Sequence, residues 1–287
     1  MILLVIIGLA CLGAVVTAAS FLRDVAEGAT ETASPFLLLL TESPEIIPSF
    51  VTLVALLGPL FGIAFGFDAV NQERSEGTLP RLVSQPIYRD DVVNGKFVAG
   101  LTTIGLALVT FVAITSGVGI LRLGITPSAG DVVRLLAYLV VTLAYIGVWL
   151  AFAILCSVLF RRAATAALAA LSAWLVLTLF GSLLTGLIAD FLGPDDELGQ
   201  GRLEHTIRQL TPSGLYEASA AALLNPRVRT LAAVLQPEQV DRAVPDTVLS
   251  FGQSMLVARP QVTALMAGCV VLFTVAYVAF LRQEIRA

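Results

Sequence analysis

The sequence predicts an all-α integral membrane protein. It would have six transmembrane helices, a short cytoplasmic helix, and a small helical extracytoplasmic region before the last span. Three observations predict it. Of the 287 residues 57% are hydrophobic and only 13% charged, against about 25% charged in an ordinary soluble domain. The mean hydropathy is +0.90. The apolar residues are gathered into runs near the ~20 residues that a helix needs to cross a bilayer. None of the runs shows the alternation of a membrane β-barrel strand. Inside lipid each backbone N–H and C=O must be paired within its own segment, so such runs are helices.

The runs lie near residues 1–20, 47–68, 95–121, 133–160, 163–189 and 261–281 of one transmembrane domain, 1–287. The first ends in "VVTAAS", which resembles a leader cleavage site. It has no basic residue ahead of it and exceeds a leader's apolar core, so it reads as a retained helix. The second contains "GPLFGIAFG", with Gly58, Gly62 and Gly66 four residues apart. That ridge lets a neighbouring helix approach closely, and Pro59 adds a kink and frees a carbonyl one turn earlier.

Between the second and third spans the loop 69–94 is polar and full of turn signals. Gly77 stops the helix that enters it. Thr78 caps a new two-turn helix, and Pro80 is tolerated in its first turn, where no helical N–H is needed. Leu79, Leu82 and Val83 form one apolar stripe, and Pro86 ends it. Arg89 follows, with Asp90 and Asp91 placed at the positive end of the third span. Acids and bases flank this helix together, which a surface built only for anionic lipid would not favour. A docking element for a cytoplasmic protein fits better.

The fifth span opens with alanines from Ala163 to Ala173 and, like the second, is lean enough for close packing. The segment 190–260 reads as a small helical cap: Leu203, Ile207 and Leu210 make a stripe, "TPSG" and "NP" are turns, and Thr211 or Ser213 starts a helix. Basic residues in short loops set the orientation. Arg74, Arg81, Arg89, Lys96, Arg161, Arg162, Arg282 and Arg286 fall on one side, against Arg23, Arg122 and Arg134 on the other. Eight against three places the 69–94 loop and both termini in the cytoplasm of a cell-membrane protein.

The remaining chemistry is sparse. The net charge of −4 and the lack of a basic run exclude nucleic acid as a partner. Cys11, Cys156 and Cys269 stand alone in apolar runs, and His205 is the one histidine, so no metal site is expected. No GxxxxGK[ST] occurs, and no nucleophile is set beside a base. No catalytic residue is expected in this chain.

Within the polar loop "ERSEGTL", "LVSQP", an Arg and a Gly-Lys follow in order. This series resembles the cytoplasmic signature of type 2 ABC transporter permeases, at Glu73, Arg74, Gly77, Thr78, Leu79, Ser84, Pro86, Arg89, Gly95 and Lys96. Pro80-Arg81 departs from it, standing where the family commonly has acidic or apolar residues. The resemblance implies a permease subunit whose 78–86 helix is a coupling helix seated on a separate ATP-binding-cassette ATPase. ATP and magnesium would then be bound by that partner. It also implies a second permease chain, identical or homologous, with the second and fifth helices of both lining the route, and export rather than import. Two other readings stay open. An ion-coupled carrier is disfavoured by charge-free span centres, Asp68 and Asp190 lying at span ends. A membrane interaction protein that transports nothing fits a docking helix alone.

Overall fold

A computed structural model describes residues 49–77, 89–123, 127–181, 209–225 and 249–282, with Leu37, Thr41 and Ile207 as single positions. The first span and the 78–86 helix lie outside the described residues. Those described form helices α1 (Phe50–Gly66), α2 (Asn71–Ser75), α3 (Arg89–Leu123), α4 (Ala129–Leu159), α5 (Ala163–Leu175), α6 (Pro212–Leu224) and α7 (Phe251–Leu281). A π-helical turn, Val176–Phe180, continues α5. Among the described residues there is no strand.

Four stretches are long and apolar enough to cross a membrane: Phe50–Ser75, Asp90–Gly117, Ala129–Leu159 and Phe251–Leu281. They match the second, third, fourth and sixth predicted runs, while the fifth is a shorter apolar helix, Ala163–Thr178, within the described residues. Side-chain caps set several starts. Ser49 accepts from Thr52 N at α1. Ser128 with Asp131, and Ser250 with Gln253, close reciprocal capping boxes at α4 and α7. The capping box at Ser250 starts α7 ten residues earlier than the expected 261. Pro260 is carried inside the helix.

Helix α4 is the post around which the others stand: 67% of its apolar stretch is buried, against 17% for α3 and for α7. It packs on α7, α1, α6, α3 and α5. On the outward faces of α3 and α7 threonines return their hydroxyls to their own helices, as in Thr102 to Val98 O at 2.7 Å and Thr274 to Val270 O at 2.7 Å. Those faces are therefore effectively apolar.

The helix α6 lies within the segment 190–260, which the sequence reads as a small helical cap. Thr211 caps it by accepting from Gly214 N at 3.1 Å, and it stops at Asn225, as the turn signals require. Yet Tyr216, Ala220, Ala222, Leu223 and Leu224 are fully buried among α4, α7 and α1. Near its end, Leu223 O accepts from Arg134 at 3.0 Å; near its start, Tyr216 stacks on Tyr145 with ring centroids 4.6 Å apart. Those two contacts are separated by roughly 16 Å of rise along α4. So α6 lies alongside the first half of α4, and its own first residues reach toward the post's middle. A helix too short to cross is stable there because its polar groups are paired inside the protein.

Candidate functional site

The polar signature begins where α1 leaves its apolar stretch. The chain bends at residues 67–70, and Ala69 N takes the Gly66 carbonyl at 3.2 Å. The amides of Val70 and Asn71 lose their regular helical acceptors there. Both turn to one buried hydroxyl, Ser157 Oγ near the end of α4, at 3.0 and 3.2 Å. A hydroxyl oxygen has the two lone pairs this needs. Ser157 thus caps α2 from another helix. At the far end of α2, Gly77 takes φ +66°, the left-handed stop expected of it.

The two charged residues of the signature are drawn into the same elbow. Glu73 Oε1 pairs with Lys96 Nζ at 2.7 Å, and the Glu73 side chain is only 14% exposed. Arg74 donates to Phe160 O at 3.3 Å and to Asn71 Oδ1 at 3.4 Å. The Glu73–Lys96 pair ties α2 to the start of α3, and the Arg74–Phe160 bond ties it to the end of α4. Arg161 and Arg162 are exposed at the α4–α5 turn beside it. Thus Glu73, Arg74 and Lys96 brace the protein internally. Residues Thr78, Leu79, Leu82, Val83, Ser84 and Pro86 lie outside the described residues; the backbone at Arg89 begins α3.

The glycine ridge is used within the chain. A Cβ on Gly62 would stand 2.7 Å from Ile146 O and 2.8 Å from Leu150 N, and one on Gly66 would stand 2.6 Å from Ala153 Cβ. The close approach the sequence allows is therefore made to α4. Gly58, Gly62 and Gly66 are buried, and the exposed residues of α1 are Thr52, Leu56, Ala64 and Phe65. In α5, Ala166 and Ala170 are buried, while Ala164, Thr165, Leu168, Leu171 and Ser172 are exposed.

Several residues that organise the bundle carry no mark in the sequence. Ser157 is one serine in the apolar "AILCSVLF". Arg134 was expected as a loop charge, but it is buried at the opposite end of α4. There it donates to Leu223 O at 3.0 Å, Ser254 Oγ at 2.9 Å and Leu249 O at 2.6 Å. Tyr145 donates to Ala55 O at 2.6 Å, the carbonyl that Pro59 leaves without its helical donor.

Among the described residues, no three His, Cys, Asp or Glu side chains gather as a metal would require. Cys156 and Cys269 are unbridged. Nothing in the described geometry sets a nucleophile beside a base. What it provides is a rigid bundle with a braced polar elbow at one end. Comparison with curated proteins finds no match. A family profile described as "ABC-2 family transporter protein" matches residues 1–285, nearly the whole chain. By that match, and with helices apolar enough to cross a bilayer, the chain is a multi-pass membrane protein and belongs to the ABC-2 transporter family.

Proposed function

We propose that this chain is the membrane-spanning permease subunit of an ATP-binding-cassette transporter, and that it works as an exporter. Two such chains, identical or homologous, form the path, and two separate ATPase subunits bind and hydrolyse ATP with magnesium. The chain itself carries out no catalysis. The cytoplasmic helix 78–86, with Leu79, Leu82 and Val83 as its apolar face, docks on the ATPase. The observation that carries this reading is the elbow. Ser157, Arg74 and the Glu73–Lys96 pair fix the entry to the polar loop against α4 and α3. A lever must be attached stiffly to what it moves, because coupling needs contacts that differ between states rather than a slack joint.

The test is purification of the tagged chain from its native membrane in mild detergent, with stoichiometric partners identified by mass spectrometry. A P-loop ATPase is expected, and Leu82→Glu should abolish its recovery while leaving the chain folded. Recovery of the intact chain without any ATPase, under conditions that preserve other membrane complexes, would sink the reading in favour of a carrier or a non-transporting protein.

A further inference from the structure

The helix α1 is held on α4 in two different ways. Its inner half is in backbone contact: the positions of a Cβ on Gly62 and on Gly66 lie 2.8 Å from Leu150 N and from Leu150 O. In its outer half, Phe50–Gly58, the contact at Gly58 is through side chains: the three atoms nearest a Cβ there would belong to the Ile146 and Tyr145 side chains, the nearest Ile146 Cγ1 at 3.2 Å. The change falls at Pro59, which removes the N–H that would reach Ala55 O and so breaks the ladder between the halves. At this break the Tyr145 hydroxyl donates to Ala55 O at 2.6 Å. The Tyr145 ring stacks on Tyr216 of α6, whose hydroxyl lies 2.6 Å from that of Tyr138.

We propose that Pro59 is a hinge in α1 and that Tyr145 is its latch, a positioning residue whose hydroxyl replaces the missing amide and keeps the outer half in line. Releasing this bond frees the Phe50–Gly58 segment to swing as a unit while the inner half stays seated on α4. Because α6 grips the same tyrosine ring, the latch also connects α6 to α1. For the transport reading, motion delivered at the elbow passes along α1 to the outer half across this joint.

The replacement of an amide by a hydroxyl makes a specific test available. In Pro59→Ala the helix regains the N–H that serves Ala55 O, and the Tyr145 hydroxyl becomes redundant. Amide exchange over residues 50–58 would be followed for the full chain in lipid nanodiscs, in four forms: wild type, Tyr145→Phe, Pro59→Ala and the double variant. Tyr145→Phe keeps the ring and its stacking, and it should speed exchange about tenfold, the equivalent of one buried hydrogen bond. In the Pro59→Ala background the same change should matter less than about twofold. Equal acceleration in both backgrounds would reduce Tyr145 to a packing residue and overturn the latch. No acceleration in either would overturn the hinge. The readout needs neither ATPase nor substrate, so its failure is separate from failure of the transport reading.

Discussion

The two ends of α4 hold their neighbours by different chemistry. At the end nearer its start, a single buried guanidinium bonds two backbone carbonyls and a serine hydroxyl, joining α6 and the beginning of α7 to the post. At the other end, a neutral hydroxyl takes two amides of the elbow, and the charged pair beside it is part-exposed, Lys96 at 38%. Charge-assisted bonds in a dry setting are the stronger kind and are little affected by solvent. The first end is built to stay shut. The elbow is held by neutral bonds and by one ionic pair that is partly open to solvent.

The largest break in this comparison should come from Arg134→Met. It keeps the bulk of the side chain but leaves the carbonyls of Leu223 and Leu249 and the Ser254 hydroxyl without their donor. Each buried orphan costs about 1–3 kcal/mol, so a loss of about 3 kcal/mol and early release of α6 are expected. Thermal unfolding in nanodiscs, with proteolysis around residues 209–225, would show it. A variant with unchanged stability would mean that the clamp at the start of α4 is ornamental.

Ser157→Ala should come next, at about 2 kcal/mol, because it orphans the amides of Val70 and Asn71 together. The effect should be confined to the elbow. Amide exchange at residues 70 and 71 should rise while that of α6 stays slow. Acceleration spread evenly through α4 and α6 would show that the two ends are not separate units.

Much of this was legible in the sequence, for physical reasons. Runs such as 133–160 have no alternative in lipid, and their length and polarity give them away. Turn residues were also plain: Gly77 as the stop of its helix, and a cap for α6 at Thr211 or Ser213, of which Thr211 takes the role. The glycine ridge announced a close approach but not its partner, since Gly62 would accept any helix face and only the fold chooses α4. The insertion of α6 was hidden because a segment of 13 residues is too short to span, and its alanines suit a surface helix as well as a buried one. The pairs Tyr145–Ala55 and Ser157–Val70 join positions far apart in the chain. A single hydroxyl carries no periodic signal, so no local pattern marks it. Arg134 was visible but misleading, because a charge near a span end reads as a loop residue until its three acceptors are known.

The smallest effect should also separate the two ends most sharply. Lys96→Met leaves Glu73 in place and removes only the ionic partner. Part-exposed ion pairs contribute little, about 0.5–1 kcal/mol at low salt, and raising the salt from 10 to 500 mM cuts the screening length severalfold. The stability gap between wild type and Lys96→Met should therefore shrink as salt is raised. The gap for Arg134→Met should move far less, because Arg134 is only 6% exposed. Melting curves of the three proteins at both salt concentrations make the comparison directly. Parallel salt dependence in the two variants would mean that both ends are held by the same kind of force. A gap for Lys96→Met that persists in high salt would show the Glu73 carboxylate to be sealed from solvent, and the elbow would then be as fixed as the clamp at the other end of α4.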